Sequence, residues 1–425
     1  MRDEPVAEPV GDAIARRLGA VWRIEGARVI ATLTSLTGDV GLAEDLAQEA
    51  CAEALRVWPR DGVPSNPGAW LTAVAKRRAI DAWRRQDALA ERYARIASTL
   101  RESQDVELEP IGDAVLRLLF IACHPVLSTP AQCALALTLI GGLSTEQAAR
   151  LFLVPVSTMQ QRIVRAKRTL SAAAVPFAAP DPHEWHERLT GVLRVVYLIF
   201  TEGYAPAKGA DPVQRELADE ALRLGRRLVA MVPREPEAHG LLALMLLQSS
   251  RFSARVALDG SPVLLADQDR GRWDRQAILR GRAALRRVDE LGRGRGPYAV
   301  QAAIAEQHAI APSVGATDWH RIVLLYEVLG RLAPSPVVEL NRAVAVSMAD
   351  GPADALAIVD RLEAQGSLAN SPLLPSVRGE LLARLGRTDE ARIAFARAIP
   401  LVGNAAQRAV LERKVRALDP RHPAG

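Results

Sequence analysis

The sequence predicts an all-α protein with a helix-turn-helix in its first 170 residues and a helical-repeat half behind it. Three observations predict this. Of the 425 residues, 49% are hydrophobic but only 4% are aromatic. The core must therefore be built from Leu, Ala and Val, and Ala and Leu favour helices over strands. Apolar residues recur at helical rather than alternating spacing through most of the chain. Near the C-terminus, small residues return at a fixed repeat interval. The length suits two or three domains.

The first informative element is an acidic helix. Leu42, Leu46, Ala50, Ala54, Leu55 and Trp58 supply an apolar stripe, and Glu44, Asp45, Gln48 and Glu49 lie on another side. Asp45 and Glu49 are like charges four residues apart, which slightly destabilises an isolated helix and would be relieved by a basic protein partner. Carboxylates near a helix start also suit the macrodipole, so a merely solvated face fits the same residues. The next element, Trp70 to Arg85, is basic and aromatic. Lys76, Arg77, Arg78, Arg84 and Arg85 form a dense positive patch, and Trp70, Leu71, Val74, Ile80 and Trp83 supply apolar surface. Stacking surfaces beside cations suit melted or single-stranded DNA. Trp70 on its own reads as core.

The third element is the helix-turn-helix. Ser144 and Gln147 make a capping box, and a short helix turns Ala148 and Leu151 inward. Phe152 to Val154 form the turn, and Pro155 suits the first turn of the next helix. There Met159, Ile163, Ala166 and Leu170 make a buried stripe. Ser157, Gln160, Gln161, Arg165 and Arg168 occupy the opposite face, with groups that hydrogen-bond base edges and phosphates in a major groove. A helical hairpin with a solvated basic face would share the periodicity, but not the two caps, the short turn and the Gln–Arg face together.

Ser171 to Pro182 is rich in Ala and Pro and marks a boundary. Beyond it, helical periodicity runs through Glu216–Val232 and Gln276–Glu290. Gly379, Leu382, Gly386, Ala391, Phe395 and Ala398 then fall at tetratricopeptide spacing, where small residues let paired helices approach. Gly351, Asp354, Ala355, Val359 and Leu362 echo the later half of that unit. Upstream of residue 335 the repeat cannot be phased. A solenoid of this kind usually offers a concave surface to a partner.

Other chemistries find little support. Cys51, Cys123 and Cys133 sit among apolar residues and read as small buried thiols. No apolar run approaches the roughly 20 residues of a membrane span, and the N-terminus lacks an apolar signal core, so a soluble, cytoplasmic chain without a membrane partner is expected. His183 and His186 with Glu184 and Glu187 lack a third ligand cluster for a metal. Gly292, Gly294 and Gly296 follow no strand, so a loop is expected rather than a nucleotide fingerprint. Glu202-Gly203-Tyr204 and Asp267 to Asp274 are the polar blocks most suggestive of a site; helix-connecting loops are the preferred reading. No nucleophile–base pair is identifiable, so no enzyme, catalytic residue, metal or cofactor is expected.

Asp39 to Glu49, Trp70 to Arg85, and Leu143 to Leu170 together resemble, in order and spacing, a bacterial RNA polymerase sigma factor of the extracytoplasmic-function class. The block Val195 to Tyr204 looks like the opening of the long extension in a subgroup that ends in tetratricopeptide-like repeats. The resemblance implies region 2 over 1–86, a flexible linker over 87–111, region 4 over 112–176 and a helical extension over 183–425. It implies that Glu44, Asp45, Gln48 and Glu49 grip core RNA polymerase. It implies that Lys76, Arg77, Arg78, Arg84 and Arg85 meet the −10 element, and that Ser157, Gln160, Gln161, Arg165 and Arg168 meet the −35 element. The partners would be the clamp and flap of core polymerase, promoter DNA, and a regulatory protein on the extension. Lys76-Arg77 stands where the family usually has Arg-Asn, and Cys123-His124-Pro125 replaces a more polar lead-in. Two other functions remain open: a regulator that binds duplex DNA without being a polymerase subunit, and a DNA-binding part fused to an enzyme.

Overall fold

Apolar residues at helical spacing in the first 35 positions bury Val29, Ile30, Ala31 and Leu33 along helix α1 (Val10–Thr37). In this computed structural model, residues 10–85, 111–152, 154–204, 215–257 and 262–418 are described. Gly38, with a left-handed φ of 71°, ends α1. Asp39 then caps α2 (Val40–Asp61) by accepting the Leu42 amide at 2.9 Å. Helix α3 (Pro67–Arg85) closes the group, and the three helices pack on one another. The buried stripe of α2 is Val40, Ala43, Leu46, Ala47, Ala50, Ala54 and Trp58. Leu42 and Leu55, expected in that stripe, are exposed. The small alanines at 43 and 47 let α2 lie close to its neighbours on a slightly rotated face, which turns both leucines outward.

A second group follows: α4 (Ile111–Ala122), α5 (Thr129–Leu135) running into a π turn (Ala136–Ile140), α6 (Thr145–Leu151) and α7 (Val156–Ala172). Leu118, Leu119, Phe120, Leu135, Leu137 and Leu139 form its core. The Cys123-His124-Pro125 turn is held by buried Gln132, whose Nε2 donates to the carbonyls of Cys123 and His124 at 3.2 and 2.9 Å. The two groups pack directly on one another, α1 against α4 and the π turn, and α2 against α7. Gly142 makes one of these approaches possible. Its φ is +70°, and an added Cβ would lie 3.2 Å from the Arg23 Cα, so only glycine fits without strain.

Helix α8 (Trp185–Tyr204) leads out of this group, and the chain divides within it into two compact units, Met1–Val196 and Tyr197–Gly425. In the first, Trp185 meets Phe120 edge-on at 5.2 Å and Arg188 donates to the Phe120 carbonyl at 3.1 Å. The second contains α9 (Arg215–Met231), α10 (Pro236–Ser249), α11 (Arg275–Glu290), α12 (Pro297–Ile310), α13 (Trp319–Leu332), α14 (Pro336–Ala349), α15 (Pro352–Ala364), α16 (Leu373–Arg384), α17 (Thr388–Ala398) and α18 (Ala405–Ala417). From α12 onward each helix packs on its successor, the pattern of a helical solenoid. No strand occurs among the described residues, which makes the protein all-α, as the sequence predicts.

The tetratricopeptide spacing has a visible cause. An added Cβ at Gly379 would lie 2.8 Å from the Phe395 ring, and Ala391 and Ala398 are fully buried beside it. Upstream, where the repeat cannot be phased, the same device recurs: a Cβ at Gly240 would lie 2.7 Å from the Ala299 backbone. Two expectations about loops need correction or refinement. Glu202-Gly203-Tyr204 is the last turn of α8, not a connection, because Phe200 and Tyr204 stack against each other along the helix at 5.7 Å. Asp267 to Asp274 is a connection, folded into two short 3-10 turns, and Asp274 caps α11.

Candidate nucleic-acid interface

The helix-turn-helix is built from its caps. The Ser144 hydroxyl accepts from the Gln147 backbone amide at 3.2 Å, and the Gln147 side-chain oxygen Oε1 accepts from the Ser144 backbone amide at 2.8 Å. This hydrogen bonding fixes the start of α6, and the Ser144 hydroxyl also holds the Glu146 carboxyl below its usual range. Pro155 sits at the N-cap of α7 rather than inside its first turn. Met159, Ile163, Ala166 and Leu170 are buried. Ser157, Gln160, Gln161, Arg165 and Arg168 are all exposed on the other side. No ion pair among the described residues ties down Arg165 or Arg168. Gln161, Arg162 and Arg165 also line an open groove of about 540 Å³ against the α4–α5 turn. The five expected residues therefore share one solvated, cationic, hydrogen-bonding face on a rigid helix.

The basic helix α3 is less uniform. Arg77 is exposed and Lys76 half-buried. Arg78 reaches across to α2, donating to Glu49 at 3.1 Å and to Glu53 at 3.0 Å. Trp70 packs edge-on against buried Trp58 at 5.6 Å, so it is core. The side chains of Trp83, Arg84 and Arg85 lie outside the described residues, as does the expected linker apart from Ile111.

On α2, Asp45, Gln48 and Glu49 are exposed. Glu44 is not solvated: its Oε2 lies 2.7 Å from Lys167 Nζ on α7, and the two side chains are only 15% and 19% exposed. That oxygen has no aligned hydrogen bond, so the contact is a charge contact first. One turn along, the Ser171 hydroxyl donates to Asp39 Oδ2 at 3.1 Å. The acidic helix and the recognition helix are thus joined through residues that sequence reasoning left out, Lys167 and Ser171. Lys167 lies between the buried and exposed faces of α7, and nothing in local spacing marks its partner 123 positions away in the chain. Burial raises the Cys51 thiol to about 12 and Cys133 to about 11, with Cys123 higher still; all three are inert thiols at neutral pH.

Comparison with known proteins matches these elements. Residues 22–89 match Sigma-70 region 2, and residues 117–170 match Sigma-70 region 4. Residues 188–289 match a family of unknown function, DUF6596. An uncharacterized protein of Rhizobium meliloti is 46% identical over 387 residues, covering 89% of this chain and 90% of its own. The ECF RNA polymerase sigma factor SigC of Mycobacterium tuberculosis is 34% identical over 140 residues, covering 32% of this chain and 73% of its own. A probable ECF sigma factor, SigI, from the same species is 28% identical over 174 residues, 37% of this chain and 56% of its own.

Proposed function

Because the chain belongs to the ECF RNA polymerase sigma factors, we propose how its residues divide the work of promoter recognition. A sigma factor binds core RNA polymerase and promoter DNA. Here the −35 reader is the α7 face of Ser157, Gln160, Gln161, Arg165 and Arg168. Its two glutamines can pair with adenine edges and its arginines with guanine edges or phosphates. The −10 surface is α3, with Lys76 and Arg77 presented to DNA and Arg84 and Arg85 following. Arg78, tied to Glu49 and Glu53, positions α3 on α2 as much as it meets phosphate. Asp45, Gln48 and Glu49 offer core polymerase its first contact on the clamp, and region 4 docks on the flap. The protein carries out no covalent chemistry of its own.

The observation that carries this reading is the solvated Gln–Arg face of α7, opposite a fully buried stripe and fixed by the capping box. A second observation refines it. Glu44, one of the polymerase-facing carboxylates, is occupied by Lys167. Polymerase binding must therefore separate α7 from α2, and the free chain is a closed form. The extension after residue 183 is a regulatory module that biases this opening, for which a regulatory protein docked on it is the means. The test is promoter retention by the full chain with and without core polymerase. Sequence-specific retention only with core supports a polymerase subunit; equal retention by the chain alone supports an independent duplex-DNA regulator.

A further inference from the structure

We infer that the C-terminal unit holds a binding site for a small amphipathic anion, in the cavity where Arg251 and Arg255 face α16 and α18. The inference goes beyond the regulatory reading above. Several half-buried arginines elsewhere in this unit have carboxylate partners: Arg282 with Glu306 at 2.7 Å, Arg342 with Glu339 at 2.7 Å, Arg378 with Asp360 at 3.1 Å. Charges withdrawn from water need such pairing. Arg251 and Arg255 break the pattern. Among the described residues neither has a carboxylate partner, and each stands near the other's positive charge. Nη1 of Arg255 is buried without a hydrogen-bond partner.

The arrangement is held rigidly rather than left loose. The Arg255 guanidinium lies over the Tyr204 ring, 3.7 Å from its centroid, a cation–π contact that fixes its plane. Arg251 donates to the Tyr204 hydroxyl. Arg270, the third arginine of the neighbourhood, donates instead to the carbonyls of His308 and Ala311, so its role is to hold the end of α12. Burial works against the charge on Arg255; a bound anion would remove that penalty. The cavity has a volume of about 490 Å³, with Arg251, Arg255 and Gln268 on its polar side and Leu373, Val402 and Leu411 on its apolar side. That volume and mixture suit a metabolite-sized ligand. A planar guanidinium pairs with carboxylate or phosphate through two parallel hydrogen bonds. The ligand class is therefore a carboxylate or phosphate head on a short apolar body.

The test uses the purified full-length chain and calorimetric titration with hexanoate, hexyl phosphate, inorganic phosphate and hexanol. At least one amphipathic anion should bind with one-to-one stoichiometry, and at least tenfold tighter than inorganic phosphate or hexanol; the better of the two identifies the head group. Arg255→Met should weaken that binding at least tenfold, while Arg392→Met, at an exposed arginine paired with Asp389, should leave it unchanged. Arg255→Met removes a buried cation that lacks a carboxylate partner together with its contact on the Tyr204 ring, so its melting temperature should stay close to that of the parent. Arg255→Lys keeps the charge without the fork and should bind with intermediate affinity. Equal affinity for hexanol and hexanoate, undiminished binding by Arg255→Met, or no binding at all would overturn the site. Asp259→Asn, which removes the carboxylate nearest Arg255 in sequence, should bind as the parent does; anion binding seen only in that variant would also overturn the site. These titrations read the cavity alone, so their failure is distinct from any failure of the module to regulate transcription.

Discussion

Replacing Lys167 by Ala should open the free protein and tighten its grip on core RNA polymerase. The 2.7 Å separation from Glu44 gives a gross attraction of about 6 kcal/mol at an effective dielectric constant of about 20. Most of that is offset by stripping water from both ions. Fully exposed pairs contribute about 0–1 kcal/mol, and breaking fully buried ones costs about 3–5 kcal/mol. With side chains 19% and 15% exposed, the pair falls between, at about 1–2 kcal/mol, part of which is the cost of leaving Glu44 unpaired when Lys167 is removed. The opening equilibrium should shift by about 5–30-fold. Polymerase affinity should rise by as much where the closed form dominates. The assay is equilibrium titration of core polymerase with the labelled chain, without DNA, so that any contact of Lys167 with promoter phosphate does not enter. Urea midpoints of Glu44→Gln, Lys167→Ala and the double variant, measured without polymerase, supply the cycle that isolates the pair. If Lys167→Ala binds core polymerase with unchanged or weaker affinity, the closed form does not compete with polymerase and the reasoning fails.

Arg165→Ala should cost about 1–3 kcal/mol of −35 binding, with an unchanged melting temperature because the side chain is exposed; an unaltered promoter profile and affinity would remove Arg165 from the reader. Asp45→Lys with Glu49→Lys should abolish co-purification with core polymerase while lowering stability by no more than about 1 kcal/mol, since Glu49 holds Arg78 only at the surface; normal co-purification would assign the face another purpose. His308 is held down to about 4 by burial and by Arg251 and Arg270, so the unfolded chain protonates first as pH falls. The stability that this neutral histidine contributes is complete above about pH 6.5 and is lost toward pH 4, by up to about 3 kcal/mol. Urea midpoints of His308→Asn that fall as steeply as the parent's across this window would contradict it. A chain ended near Pro180 loses the Trp185 ring on Phe120 and the Arg188 hydrogen bond, and should be about 2–4 kcal/mol less stable than one ended after Tyr204. Equal urea midpoints would show that the first turns of α8 contribute nothing to the first unit.

Much of the fold was legible because its signals are local. The Ser144–Gln147 box, the Met159–Leu170 stripe and the Gly379–Phe395 contact each depend on residues at most 16 positions apart in the sequence, and each appears as the spacing requires. What local spacing could not reveal was tertiary. Leu42 and Leu55 fit a helical stripe, yet the closer packing allowed by Ala43 and Ala47 turned the face by a fraction of a turn. Glu44 and Asp45 are neighbours in one acidic block, but only Glu44 meets Lys167. Arg78 belongs by sequence to a uniform basic patch and by structure to an ion-pair bridge. The Arg255 cavity gathers Tyr204, Arg251, Gln268 and Leu411 from across the unit, a juxtaposition with no periodicity to betray it.

Run-off transcription shows whether this chain confers promoter choice on core polymerase through the α7 face. Purified core polymerase would be supplied with the full chain, Lys167→Ala or Arg165→Ala on a genomic promoter library. A defined set of start sites should appear only when the chain is added, rise with Lys167→Ala and fade or redistribute with Arg165→Ala. A library transcribed identically with and without the chain and the opened variant would contradict it.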